Sequence, residues 1–133
     1  MDFNEILKPG LQAQKDETVT DGNTAAALGS GGLAVYATPA MIALMECTAL
    51  SAVDLLLPQG WSTVGTELKV KHLSATPLDM KVHAKAELLS IDGRALSFKV
   101  EAFDEAGKIG EGTHGRFIIE SEKFMAKTRE KKK

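Results

Sequence analysis

Between Thr38 and Leu57 the chain runs through Thr-Pro-Ala-Met-Ile-Ala-Leu-Met-Glu-Cys-Thr-Ala-Leu-Ser-Ala-Val-Asp-Leu-Leu-Leu, with Glu46 and Asp54 as its only charges. These are good helix formers. Thr38 is placed to cap the helix, and Pro39 falls in the first turn, where a missing N–H leaves no bond unmade. Pro58 and Gly60 stop the run. A surface helix keeps one polar face; this one has none, so it is predicted to lie at the centre of the fold. A membrane span is the competing reading. Two carboxylates interrupt the stretch, its length is marginal and no second such run follows, so a core helix is preferred and no membrane partner is expected. Glu46, ringed in sequence by Ile42, Met45, Cys47 and Leu50, must then be paired, protonated or functional.

The length of 133 residues fits one domain, and an apolar fraction of 44% is enough to build its core. Net charge is −2, unevenly spread: residues 121–133 hold six Lys or Arg against Glu122 and Glu130, so the rest of the chain is acidic. A single domain over residues 1–120 with a basic, solvated, frayed tail over 121–133 is the expected organisation. The acidic body, and a tail with Phe124 as its one aromatic, argue against a nucleic-acid partner. Cys47 stands alone, so no internal disulfide forms and a reducing compartment is indicated. The opening Met-Asp-Phe-Asn-Glu has neither a basic nor an apolar leader pattern, and a cytoplasmic location is expected. Three histidines and one cysteine show no ligand spacing, so no metal is expected.

Around the central helix the pattern alternates. Residues 11–20 read as a first strand, Asp21-Gly22-Asn23 as a turn, and Thr24 to Leu28 as a short helical turn closed by Gly29. The run Gly29-Ser30-Gly31-Gly32 lacks the Gly-Lys-Ser/Thr of a phosphate cradle and reads as a plain flexible loop. In residues 62–73, Val64, Thr66, Leu68, Val70 and His72 fall on one face and Glu67, Lys69 and Lys71 on the other. Residues 80–90 alternate more cleanly. Asp92-Gly93 marks a hairpin into a strand with Leu96, Phe98, Val100 and Ala102 on one face. A last strand spans Lys108 to Ile119. Its Gly110, Gly112 and Gly115 point to a bulge or to close approach by another group. The order β-α-β-β-β-β predicts an α+β fold: a curved antiparallel five-stranded sheet wrapped around one long central helix. A helix apolar all round against a single sheet leaves one flank for a second copy, which predicts a homodimer.

Several residues carry candidate chemistry. Glu46 could act as nucleophile or as general base, or be satisfied by a neighbouring hydroxyl. His72 lies on an inward row, where it could be a core residue or an acid–base group working near neutrality. Thr38 is a helix cap or a group that orients substrate; the roles compete for one oxygen. His114 and Arg116 share a face of the last strand, and Arg116 could pair with a carboxylate or a phosphate. Cys47 reads as a small buried hydrophobe.

Taken together, Ala37-Thr38-Pro39, Glu46, Val64-Gly65-Thr66, His72-Leu73-Ser74-Ala75-Thr76-Pro77, Gly110-Glu111-Gly112-Thr113-His114-Gly115-Arg116 and Glu122-Lys123-Phe124-Met125-Ala126-Lys127 follow the order and spacing of a known family. The chain resembles the hotdog-fold acyl-CoA thioesterases, and within them the fluoroacetyl-CoA thioesterase-like group, over about residues 10 to 129. The resemblance implies a catalytic set of Thr38, Glu46 and His72, with Gly65 and Arg116 lining the site. It also implies a dimer with two interface sites, with pairing into tetramers left open, and no cofactor beyond the coenzyme A carried by the substrate. The bulky groups that gate the substrate in the fluoroacetyl-specific branch give way here to small residues before Thr38. A short or medium acyl group is therefore expected rather than the fluorinated one specifically. A hydratase or dehydratase on the same fold, or a non-catalytic acyl-CoA or small-ligand binding module, are the rival functions. Thr38 and Glu46, eight residues apart on a helix, are separated by about 12 Å along its axis. A shared site then needs either a substrate that spans that gap or Thr38 from the partner chain, and the second is predicted.

Overall fold

The computed structural model describes residues 1–132. A 3₁₀ turn at Phe3–Glu5 leads into β1 (Gln12–Thr18), and the one-turn helix α1 (Ala25–Leu28) follows. Helix α2 (Thr38–Val53) continues into a 3₁₀ turn at Asp54–Leu56. Then come β2 (Trp61–His72), β3 (Lys81–Asp92), β4 (Ala95–Asp104), β5 (Gly107–Glu120) and the terminal helix α3 (Ser121–Arg129). The five strands form one antiparallel sheet in the order β1-β3-β4-β5-β2, wrapped around α2 in the hotdog arrangement expected.

Alternation in the sequence becomes burial. Val82, Ala84, Ala86 and Leu88 of β3 and Leu96, Phe98, Val100 and Ala102 of β4 all face α2. From the helix come Met41, Met45, Ala49 and Val53, fully buried, with Leu44 close behind. Burying each of the large side chains among these stabilises the fold by roughly 1.5–3 kcal/mol. Although long and apolar enough on composition to cross a bilayer, the segment Thr38–Leu56 meets the sheet instead. It packs mainly on β1 and β3. Its far flank stays open: Ala43 and Cys47 are exposed, and Ile42 and Leu50 are half-covered. Cys47 is thus not the buried hydrophobe expected from sequence.

Strand β2 departs from the predicted single inward row. Its register with β5 slips between Gly65 and Glu67, so one extra residue, Thr66, enters the strand. A bulge inverts the alternation on one side of it. Thr63, not Val64, is the buried residue before the bulge, Thr66 is exposed, and Val70 and His72 resume the inward row after it.

The glycines of β5 answer to close approach. A Cβ on Gly110 would lie 2.6 Å from Met41 Sδ, and one on Gly112 would lie 2.0 Å from the Lys69 carbonyl oxygen. The tail is helical where fraying was expected. Ser121 N–H donates to the Gly60 carbonyl at 2.9 Å, and Glu122 in the first turn and Lys127 and Arg129 in the last suit the helix dipole. Lys133 lies outside the described residues.

Candidate active site

Thr38 is not the cap of α2. That position belongs to Ala37, which has no side-chain oxygen, and Thr38 and Pro39 form the first helical turn. The hydroxyl is thereby free for another partner. Thr38 Oγ1 lies 2.7 Å from His72 Nδ1 at the end of β2. The backbone on both sides is pinned: Ala37 N–H donates to the Asn23 carbonyl at 2.9 Å, and Tyr36 N–H to the Thr76 carbonyl at 2.9 Å. The Tyr36 hydroxyl also donates to Glu17 Oε2, and burial, reinforced by that carboxylate, pushes the phenol pKa up.

The other ring nitrogen of His72, Nε2, is buried with no hydrogen-bond partner among the described residues. A buried polar atom left this way costs about 1–3 kcal/mol unless a ligand group supplies the bond. Burial lowers the His72 pKa below the usual imidazole value, and the Ser74 main chain pulls weakly the other way. His72 is therefore neutral near neutral pH. A cavity of about 320 Å³ opens beside the pair, between Thr38 and His72 on one side and Ala25, Ser30 and Val35 on the other.

Glu46 sits two turns along α2, away from that cavity. Its side chain is 39% exposed, and Arg116 Nη1 stands 4.0 Å from Oε2. The carboxylate hangs directly over Gly65: a Cβ there would come within 2.8 Å of Oε2, 3.3 Å of His114 Cε1 and 3.6 Å of Arg116 Nη1. Only a residue without a side chain lets the carboxylate approach the β2 backbone so closely. Arg116 is buried, and burial lowers its pKa while Glu46 and Asp54 pull it back up. Its Nε donates to Thr63 Oγ1 at 2.8 Å and its Nη2 to the Thr63 carbonyl at 2.9 Å.

The five residues singled out from sequence thus fall into two clusters within one chain. Thr38 and His72 form one; Glu46, Gly65 and Arg116 form the other. Among the described residues no three His, Cys, Asp or Glu side chains converge as a metal site would need. One contributor was not foreseen: Thr63 gave no signal, because its inward direction depends on the bulge. His114, singled out for sharing a face with Arg116, does meet it, with Nε2 3.2 Å from Arg116 Nη1.

The family model described as fluoroacetyl-CoA-specific thioesterase matches residues 19–122. The fluoroacetyl-CoA thioesterase of Streptantibioticus cattleyicolor is 44% identical over 97 residues, which is 73% of this chain and 70% of that protein. The chain belongs to the fluoroacetyl-CoA-specific thioesterase family. A solved structure of the fluoroacetyl-CoA thioesterase FlK superposes with a TM-score of 0.88 at 37% identity, covering 94% of this chain and 97% of that one. A hot-dog-like protein from Thermanaerovibrio acidaminovorans, 22% identical, shares the fold with a TM-score of 0.89 over 98% of this chain and 97% of that one. This thioesterase is an acyl-CoA hydrolase, and the hydratase and binding-module readings give way to that activity.

Proposed function

We propose that the chain hydrolyses short to medium acyl-CoAs to the free acid and coenzyme A, with fluoroacetyl-CoA inside its range rather than its sole substrate. One observation carries the substrate breadth. The loop over residues 29–32 bordering the cavity is Gly-Ser-Gly-Gly, and a Cβ added to Gly29 or Gly32 would meet nothing within 4 Å. That loop adds no large side chain to the cavity in which this reading seats the acyl group. A variant of FlK has been solved with acetyl-CoA, a small acyl-CoA of the kind proposed.

In this reading Glu46 delivers the attacking oxygen, its own or that of a water it deprotonates. His72, oriented by Thr38, offers Nε2 to the thioester oxygen or the leaving sulfur. Gly65 lets the carbonyl approach the β2 backbone. If Glu46 activates water, the water oxygen bonds to the thioester carbonyl carbon and the C–S bond breaks. If Glu46 itself attacks, the C–S bond breaks to give an acyl–Glu46 anhydride that a water then hydrolyses to the free acid and the carboxylate. On either route the sulfur leaves with a proton as the thiol of coenzyme A.

The two clusters become one site in a homodimer, with Thr38 and His72 from one chain and Glu46, Gly65 and Arg116 from the other. Two features support the assembly. The open flank of α2 carries Ala43 and Cys47, and β2 is an edge strand of twelve residues with Leu68 exposed. A long exposed edge is a template for pairing with another chain. A cytoplasmic location fits this reading, because an acyl-CoA substrate and a reduced lone Cys47 both suit that compartment.

Release of free thiol from an acyl-CoA series, measured with wild type and Glu46→Gln, tests the activity. Turnover that peaks among two- to eight-carbon acyl groups, within about tenfold of fluoroacetyl-CoA and lost in the variant, is expected. Turnover confined to fluoroacetyl-CoA would overturn the proposed breadth.

A further inference from the structure

Behind the Glu46 cluster lies a buried group that the proposed chemistry does not use. His114 of β5 is 1% exposed, packed near the Phe98 ring, with centroids 6.4 Å apart. Its Nδ1 lies 2.8 Å from the Glu67 carbonyl oxygen. A carbonyl only accepts, so Nδ1 carries the proton. Its Nε2 lies 3.2 Å from Arg116 Nη1, which only donates, so Nε2 carries the lone pair. Both partners fix the same state: a neutral imidazole with its proton on Nδ1. A second proton on Nε2 would set two donors and two like charges face to face. Burial above all holds the His114 pKa below the usual value; the Glu67 carbonyl opposes it, and the Arg116 charge lowers it further while the Glu46 carboxylate raises it.

The bulge explains why the carbonyl is there. Thr66 is the extra residue, and the next one, Glu67, turns its carbonyl to a ring that reaches across from β5. Arg116 is then held from three directions: Thr63 Oγ1, the Thr63 carbonyl and His114 Nε2. The same Nη1 that meets His114 Nε2 stands 4.0 Å from Glu46 Oε2, so the contact to His114 bears directly on the atom nearest Glu46.

We propose that His114 is a positioning residue of the thioesterase, which as a neutral Nδ1–H imidazole anchored on the bulged Glu67 carbonyl aims the Arg116 guanidinium at Glu46. The role rests on the reading of Glu46 as the reacting carboxylate. The cationic group is preorganised beside Glu46, so no part of it has to be ordered when the thioester arrives.

The test has two arms. Nitrogen-15 NMR of the wild-type imidazoles reads the tautomer directly and needs neither a variant nor turnover. A neutral Nδ1–H pattern for His114 at neutral pH is expected; an Nε2–H or doubly protonated ring overturns the proposal. The kinetic arm compares His114→Phe, His114→Gln and Thr63→Val by thiol release. His114→Phe keeps the ring and loses both bonds, and kcat should fall about tenfold or more with KM within about threefold. His114→Gln keeps an amide donor and acceptor and should recover most of kcat. Thr63→Val, which removes another Arg116 anchor, should lower kcat in the same sense if His114→Phe does not fold. Wild-type kcat in His114→Phe, or no recovery in a folded His114→Gln, overturns the proposal. Failure of the reading of Glu46 would show separately, as full activity in Glu46→Gln.

Discussion

Gly65→Ala is the most informative single substitution in this chain. The new Cβ would sit 2.8 Å from Glu46 Oε2, whereas ordinary contact begins near 3.4 Å. The carboxylate must retreat by about 0.6 Å, the difference between those distances. The other two neighbours, His114 Cε1 at 3.3 Å and Arg116 Nη1 at 3.6 Å, need little or no movement. Glu46 is the far end of a flexible side chain, so the strain relaxes by moving the one atom that matters for chemistry. Misplacing a reacting group by about 1 Å can cost about 10²-fold, so a shift of this size should lower kcat by about 10- to 50-fold. Stability should move little, because the clash is relieved at the surface of the site and alanine orders the strand at lower entropic cost than glycine. Steady-state thiol release and a urea melt measure the two effects. Wild-type kcat in a stably folded Gly65→Ala would refute the placement of Glu46 over Gly65 as the reacting geometry.

Thr38→Val keeps the shape and removes the His72 Nδ1 partner, so kcat should fall about tenfold while Thr38→Ser retains most activity. Gly110→Ala brings a Cβ to 2.6 Å from Met41 Sδ and 3.1 Å from the Lys71 carbonyl; overpacking of this kind costs about 1–3 kcal/mol, readable as a lower urea midpoint. Acid should weaken the fold through two imidazoles. The pKa values of His72 and His114 are lowered in the fold from an ordinary 6.5, so the unfolded chain binds more protons as pH falls. The stability they contribute is complete above about pH 6.5 and is lost as pH drops toward their folded values. The loss of melting temperature between about pH 7.5 and pH 5.5 should be smaller in His114→Gln than in wild type, and an equal loss in both would contradict it.

Much of this was legible in the residues because it rests on periodicity. The apolar run at 38–57 announced a core helix, and the alternation in β3 and β4 placed Val82 through Leu88 and Leu96 through Ala102 on the face that α2 covers. What escaped depends on local geometry that periodicity does not carry. A single extra residue at Thr66 moved Thr63 inward and Thr66 outward, and no composition signal marks a bulge of that kind. The cap at Ala37 likewise ran against preference, since Thr38 has the capping side chain and spends it on His72. The basic excess of the tail predicts fraying, but the dipole-matched placement of Glu122, Lys127 and Arg129 supports a helix there. Glu46 was recognised by its company in sequence, yet in the single chain it is part-exposed on the open flank rather than sealed in the core. Helix α2 packs mainly on β1 and β3 and only lightly on β2, the strand whose Gly65 lies under Glu46.

Whether two chains build one site can be settled by subunit exchange. Glu46→Gln and His72→Asn are each expected to be inactive alone. In a twofold dimer, random exchange makes about half the molecules mixed, and each mixed dimer then holds one site with both changes and one intact. Thiol release from the exchanged mixture should rise to about a quarter of the wild-type rate. A mixture that stays as inactive as its parents, with exchange verified by mass, would place Thr38, His72 and Glu46 in a single chain's site and contradict the assembly across the interface.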